Sequence, residues 1–408
     1  MHIAFLTTEY VTEPSFDGGL ANYLQRIALS MLSRGHQVEI FVRAPNNEIF
    51  NHQGVIIHRV KMMSSVSRVL KKLLRGKFGA SLNIMLFGWA ARRSLLRRHR
   101  YQPFDVVQAA SYLASGIGLS HLSPVPMVVR VSSYGPFTRR ENHIDQRPSS
   151  DTVLKDFLEK HALKHAAGVY APSSLLANII LQETGVKASV VRPPFFIETT
   201  DVDETIYKQS LGNMPYLLYY GAVNRLKGCV VLANALSRAF QRHPDLHFVI
   251  AGKVQMMPDG KSYLDHILET AGDNANRVHY IGRLPHSQLY PVIRGATGVV
   301  LPSLIDNLPN TCLEAMSQGR VIIGTNGTSF EELIESDISG LLVPPSDEHA
   351  LLEAMSRLWT MPNSERERMG SEAKAKLQRD FSPETTCQSL EEWFNPFIKC
   401  KGSSVENA

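Results

Sequence analysis

The sequence predicts an α/β protein made of two doubly wound halves that face a central cleft. Short apolar strands alternate with helical segments in both halves of the chain, the pattern of βαβ units and parallel sheets. The alternation breaks once, at Pro193-Pro194 and the polar, acidic stretch through Asp203-Glu204, which reads as a linker near residues 193–213. A length of 408 residues suits two domains. They are expected over residues 1–195 and 196–382, with a last helix at about 383–400 packing back on the first.

The elements follow in chain order. Ile3–Thr7 is a short apolar strand, the loop after it ends in Asp17-Gly18-Gly19, and Leu20–Ser33 has helical spacing. Arg34-Gly35-His36 stops that helix ahead of a second strand at Val38–Val42. Strands follow at Val106–Val107 and Met127–Val131, a helix over about Thr152–His165, and a strand at Gly168–Ala171. Past the linker come a strand at Tyr216–Tyr220, a loop over Gly221–Gly228, a helix over Cys229–Gln241 and a strand at Leu246–Ala251. Further strands are predicted at Val278–Ile281, Gly298–Leu301, Val321–Ile323 and Leu341–Val343, then helices over His349–Leu358, Ser364–Gln378 and around Trp393. In such sheets ligands sit at the carboxyl ends of the strands.

Composition narrows the function class. Apolar content of 44% with 20% charged residues is that of an ordinary soluble enzyme. Cys229, Cys312, Cys387 and Cys400 form no CxxC pair, so neither a zinc knuckle nor a disulfide framework is indicated, and a reducing, cytoplasmic setting is expected. The N-terminus lacks the basic and long apolar regions of a signal peptide. The longest apolar run, Ala80–Ala91, is well short of the ~18–20 residues that a membrane span needs. The net charge of +5 is unevenly spread. From Ile49 to Phe104 there is no Asp or Glu, while twelve Lys and Arg fall there; outside that stretch 31 basic residues face 38 acidic ones.

The chemistry concentrates in Pro302-Ser303-Leu304-Ile305-Asp306-Asn307-Leu308-Pro309-Asn310-Thr311-Cys312-Leu313-Glu314. This stretch leaves an apolar strand and enters an apolar helix, with Asp306 or Asn307 placed to cap it and Pro309 in its first turn. A helix N-terminus has unpaired N–H groups and the positive end of the dipole, which suits a phosphate. Carboxylates on either side, Asp306 and Glu314, suit sugar hydroxyls. Gly221 to Gly228 occupies the equivalent place after an earlier strand and brings Arg225 and Lys227, cations that can meet diphosphate oxygens. Gly18-Gly19 would let backbone approach a diphosphate in the first half. The combination points to a nucleotide-sugar.

This block resembles the donor signature of the retaining glycosyltransferases of family 4. There the segment commonly reads Pro-Ser-x-x-Glu-Gly-Phe-Gly and then Leu-Glu-Ala-Met; here Leu313-Glu314-Ala315-Met316 follows Pro302-Ser303 and Asp306-Asn307-Leu308-Pro309. Gly18-Gly19-Leu20, Arg34-Gly35-His36, Ala171-Pro172-Ser173, Lys227-Gly228, Gly282 and Gly340-Leu341-Leu342-Val343-Pro344 extend the resemblance along nearly the whole chain. It implies the GT-B fold, two Rossmann-like domains with the acceptor on the first and the donor on the second. By position, Glu314 would hold the ribose, Asp306 would lie beside the transferred sugar, and Lys227 would neutralise the diphosphate. Backbone N–H groups of Asn307 and Leu308 would meet the sugar, those of Asn310 and Thr311 the phosphate, and Arg283 would lie near the nucleobase. Two positions depart from the family. Ala222 stands where arginine is usual, with Arg225 the candidate to replace it, and Ser132-Ser133 stand where a histidine near the sugar is common.

The resemblance implies front-face transfer from a nucleoside-diphosphate sugar to an acceptor hydroxyl, with no metal or other cofactor and with domain closure to exclude water. A nucleotide-sugar epimerase of the same fold and a non-catalytic glycosyltransferase-like subunit are the rival readings. Val66, Val69, Leu70, Leu73 and Leu74 at helical spacing, opposite Arg68, Lys71, Lys72 and Arg75, predict a basic amphipathic helix suited to the anionic inner face of a membrane. That points to a lipid-linked or lipopolysaccharide-type glycan as acceptor, and no aromatic interleaving suggests nucleic acid. His161 and His165 share one helical face but show no third partner, and they are read as structural, with no metal site.

Overall fold

The computed structural model describes residues 1–14, 19–62, 77–121, 123–141, 148–197, 201–212 and 214–399. The chain divides into two compact units, Met1–Pro194 with Phe381–Ala408, and Phe195–Asp380.

Among the described residues, the first unit is built on an eight-stranded sheet. Its strands are β1 (His2–Thr7), β2 (Gln37–Ala44), β3 (Glu48–His52), β4 (Val55–Lys61), β5 (Val106–Ala110), β6 (Met127–Arg130), β7 (Gly168–Ala171) and β8 (Ser189–Val190). They lie in the order β3-β4-β2-β1-β5-β6-β7-β8, parallel except for β3 against β4. All six residues of β1 are buried, as expected of a central parallel strand covered on both faces. The helix Gly19–Ser33 turns Ile27, Ala28 and Met31 into the same core cluster as Cys387, Leu390 and Phe394 of the last helix, Pro383–Lys399. Glu391 of that helix accepts from Arg34 Nε at 2.6 Å and meets His36 Nε2 at 2.7 Å. The last helix is therefore part of the first unit both in its core and in its ion pairs.

The β3–β4 hairpin is absent from the sequence reading. It lies at the head of the acid-free stretch, and its turn is Gln53-Gly54, both at positive φ, rather than the Asn-Gly that marks such turns most clearly. Its position also changes the charge count. Arg59 on β4 bonds Glu13 at 2.9 Å and Glu48 at 2.6 Å, and Arg98 on the long helix Gly79–Tyr101 bonds Glu39 at 2.7 Å. Among the described residues, Arg59 and Arg98 are thus paired with acids from outside the stretch. Val66–Arg75, including Arg68, Lys71, Lys72 and Arg75, lies outside the described residues, as does Gly18. No helix among the described residues is long and apolar enough to cross a membrane.

The second unit carries a six-stranded sheet of β9 (Leu217–Tyr220), β10 (Phe248–Ala251), β11 (Val278–Tyr280), β12 (Gly298–Val300), β13 (Ile322–Thr325) and β14 (Leu341–Val343). The order is β11-β10-β9-β12-β13-β14 and every pair is parallel. From β9 the chain builds outward through β10 and β11, then returns to β12 on the other flank. A sheet that reverses direction in this way opens a crevice between the carboxyl ends of the two strands at the reversal, here β9 and β12. The helices Cys229–Arg242 and Glu348–Thr360 bury Leu232, Leu236, Phe240, Leu351, Met355 and Leu358 against the sheet.

Candidate functional site

The loops leaving β9 and β12 meet at this crevice. Gly228 sits at φ +75, and a Cβ there would fall 1.9 Å from the Pro302 carbonyl oxygen, so only glycine lets the two loops close up. The Leu304 N–H donates to the Leu226 carbonyl at 2.8 Å, which joins them further. Within the first loop, the Asn224 side chain accepts from the Lys227 N–H at 3.0 Å, a short turn that fixes where the lysine leaves the backbone. One strand over, a Cβ at Gly252 would lie 1.7 Å from the Gly221 carbonyl oxygen, so the ends of β9 and β10 are packed backbone to backbone.

Lys227 and Asp306 form an ion pair across the two loops, with side chains 31% and 11% exposed. The expectation that Asp306 or Asn307 caps the following helix is corrected on this point. Pro309 stands at the N-cap position of Asn310–Ser317, with no side-chain capping bond. Asp306 meets an ammonium instead, a stronger partner for a carboxylate than a neutral N–H. The backbone on either side is held: the Asp306 carbonyl accepts from Ser329 Oγ at 2.7 Å and the Ser303 carbonyl from Thr325 Oγ1 at 2.5 Å.

The helix Asn310–Ser317 runs from the carboxyl end of β12 into the core, burying Cys312, Leu313, Ala315 and Met316. Tyr220, the last residue of β9, donates its hydroxyl to the Thr311 carbonyl. Burial holds that phenol well above its usual range, so it acts as a fixed donor. The first N–H groups of a helix have no partner within it, and those of Asn310 and Thr311 stand at this terminus. One turn on, Glu314 is 7% exposed and meets His286 Nε2 at 3.2 Å, while the imidazole lies parallel to the Tyr290 ring with centroids 5.3 Å apart.

One ammonium, two carboxylates and a helix N-terminus are thus assembled around β9 and β12. Asn307 and Leu308 lie half-buried in the connecting loop. Arg225 stands beside the buried Tyr263 phenol, whose proton burial holds up and the arginine charge opposes. Arg283 is exposed just beyond β11, the edge strand. His286 and Gly252 were not legible from sequence: His286 precedes Glu314 by 28 positions, and an isolated glycine after a strand reads as any turn.

In the first unit, Gly19 opens its helix at the surface. Ser132 and Ser133 follow the carboxyl end of β6. Ser132 accepts from Arg130 Nη1 at 3.0 Å, and its N–H and the Ser133 carbonyl both bond Ser111 Oγ at 3.0 Å. Arg130 is 6% exposed and lies 3.5 Å from the centroid of Tyr23. Of the two serines that stand where the family's histidine is common, Ser132 is therefore anchored by a buried cation and Ser133 by the Ser111 hydroxyl.

Comparison with known proteins finds relatives for both units. Residues 17–195 match the family Glycosyltransferase Family 4, and residues 214–361 match Glycosyl transferases group 1. A D-inositol 3-phosphate glycosyltransferase of Pseudarthrobacter chlorophenolicus is 24% identical over 92% of this chain and 90% of its own. An alpha-D-kanosaminyltransferase of Streptomyces kanamyceticus is 26% identical over 62% of this chain and 66% of its own. Among solved structures, sucrose-phosphate synthase of Thermosynechococcus elongatus superposes with a TM-score of 0.75 at 17% identity, covering 98% of this chain and 100% of that one. HepE of Anabaena, solved with UDP and glucose, does so at 0.70 and 16% identity over 97% and 100%.

Proposed function

The chain belongs to the family 4 and group 1 glycosyltransferases and has their GT-B fold, and from that premise we propose that it transfers a sugar, with retention of configuration, from a nucleoside diphosphate to a hydroxyl of a membrane-associated glycan. The observation that carries the donor assignment is the Lys227–Asp306 pair beside the Asn310–Ser317 helix N-terminus, one turn from the buried Glu314. A nucleoside-diphosphate sugar offers a ribose diol, a diphosphate and sugar hydroxyls in sequence. Glu314 takes the ribose, Lys227 and the N–H groups of Asn310 and Thr311 take the diphosphate, and Asp306 with the N–H groups of Asn307 and Leu308 takes the sugar. The demanding step is departure of the diphosphate, which builds negative charge where the ammonium and the helix end stand. In front-face transfer the leaving phosphate helps to deprotonate the acceptor, so the reaction asks for neither a protein nucleophile nor a metal.

A ligand that binds only the folded state raises its melting temperature, so thermal-shift screening against UDP, GDP and ADP sugars identifies the donor. Glu314→Ala is expected to weaken that nucleotide about 10–100-fold, the loss of a charged hydrogen-bonding partner, and to abolish transfer at donor levels that saturate the natural chain. A variant that binds and turns over normally removes the assignment. Turnover of donor alone into an epimer would favour the epimerase reading.

The acceptor assignment rests on charge and aromatic exposure. A pocket of about 480 Å³ between the β3–β4 hairpin and the helix Gly79–Tyr101 is lined by Lys61, Arg93, Arg97, Trp89, Tyr101 and Ile49 among others. Trp89 is 55% exposed and Tyr101 83%, and exposed aromatics among basic residues suit a membrane interface. The full chain is expected to float with vesicles containing anionic phospholipid at low salt, and Arg93→Glu with Arg97→Glu to lower the bound fraction severalfold. Protein that stays unbound removes the membrane acceptor.

A further inference from the structure

Three imidazoles converge at the amino edge of the first sheet. His161 and His165 come from the end of the helix Ser150–Lys164, His165 at its C-cap position. His121 follows the short turn Ile117–Leu119, ahead of β6. It supplies the third partner that the spacing of the other two lacked. One ring nitrogen from each lies within 4.8 Å of the others, and His121 Nε2 meets His161 Nε2 at 2.8 Å.

We propose that His121, His161 and His165 form a binding site for a zinc-type divalent ion, separate from the nucleotide-sugar site. Two nitrogens at 2.8 Å can share a single proton, one donating and one accepting, and a metal ion replaces that proton while also using the third ring. His165 Nδ1 faces the His161 carbonyl at 2.9 Å. A carbonyl only accepts, so Nδ1 carries the hydrogen and Nε2 keeps its lone pair for the metal, the arrangement that orients most metal-binding histidines. His121 is held from the other side, since Arg92 Nη1 donates to its carbonyl at 3.0 Å and to that of Gly118 at 3.1 Å.

The ligand set selects the ion. Three neutral nitrogens with no carboxylate suit zinc, copper or nickel and disfavour magnesium, calcium and manganese, which prefer oxygen. Three ligands leave a fourth tetrahedral position for water or a further group. The negative end of the helix dipole lies at His161 and His165 and adds to the attraction for a cation. β6 and β7 begin next to this cluster, whereas ligands of such sheets bind at the carboxyl ends. The ion would therefore clip the end of the helix Ser150–Lys164 to the segment entering β6, and would take no part in transfer.

The test uses the full chain without an affinity tag, titrated with Zn²⁺ against a chromophoric chelator. The expected result is one ion per chain, unaffected by excess Mg²⁺, with His121→Ala, His161→Ala and His165→Ala each weakening binding on the order of 100-fold. Co²⁺ should give the intense visible bands of a tetrahedral site in the natural chain and lose them in each variant. Near-UV circular dichroism confirms that the variants fold. Absence of stoichiometric binding, or binding that survives any one of the three substitutions unchanged, overturns the site. Transfer activity that persists in His165→Ala agrees with its separation from the donor site, and activity lost in proportion to zinc overturns that separation.

Discussion

Replacing Lys227 by alanine is expected to lower kcat by roughly 10²–10³-fold, with a much smaller change in the donor KM. The ground-state diphosphate is already charged and is shared with the N–H groups of the helix Asn310–Ser317, so binding survives in part. Charge added as the bond to the sugar breaks has the ammonium as its mobile partner, and that increment appears in kcat. A complication lies in the ion pair itself. Removing Lys227 leaves the Asp306 carboxylate, 11% exposed, without its cation. That alone could misplace the loop.

The pair Lys227→Ala with Asp306→Asn separates the two effects. If the orphaned carboxylate were responsible, the double variant would be faster than Lys227→Ala and match Asp306→Asn alone, which keeps the lysine and lacks the charge that holds the sugar. If leaving-group charge is responsible, the double variant stays as slow as Lys227→Ala or slower. Initial rates over a series of donor concentrations read both. A kcat within threefold of the natural chain in Lys227→Ala removes the lysine from the reaction.

The parts of the molecule that were legible in the sequence share a physical reason. β1, β9 and β12 are short apolar runs buried by parallel neighbours, and Cys229–Arg242 carries a clean amphipathic stripe; both signals are local. Glu314 was conspicuous as the one acid in an apolar helical start. Partnerships were not legible, because they depend on distance through space. Asp306 read as a helix cap until Lys227, 79 positions away, proved the stronger partner. His286 and His121 are ordinary histidines until the fold brings them to Glu314 and to His161. The acid-free stretch read as a block of unbalanced positive charge because the acids that pair Arg59 and Arg98, namely Glu13, Glu39 and Glu48, lie outside it in sequence. The family resemblance supplied roles for residues whose spacing alone would have left them as a well-capped helix and a glycine turn.

Glu39 shows how much one such partner carries. It sits on β2 with a side chain 2% exposed, and its carboxylate meets His2 Nε2 at 3.1 Å, His58 Nε2 at 2.6 Å and Arg98 Nη2 at 2.7 Å. Burial alone would raise the pKa of this carboxyl, but the bonds from His2, His58 and Arg98 outweigh it and hold the group well below its ordinary value of 4.5. Glu39→Ala leaves three donors facing a void and one of them, Arg98, permanently charged. A loss of about 3–5 kcal/mol in unfolding free energy is expected, the cost of breaking a buried ion pair from one side. The sign with pH follows from the lowered pKa. The folded state releases this proton more readily than the unfolded chain, so the stabilisation is present above pH about 4.5 and is lost as pH falls below it. Urea titrations at pH 7 and at successively lower pH should show natural chain and variant far apart at neutrality and converging in acid. A constant gap across that range would mean that Glu39 acts through packing alone. Because Arg98 lies on Gly79–Tyr101, the same substitution should loosen the helix that presents Trp89, Arg93 and Arg97, and with it the vesicle binding expected of that surface.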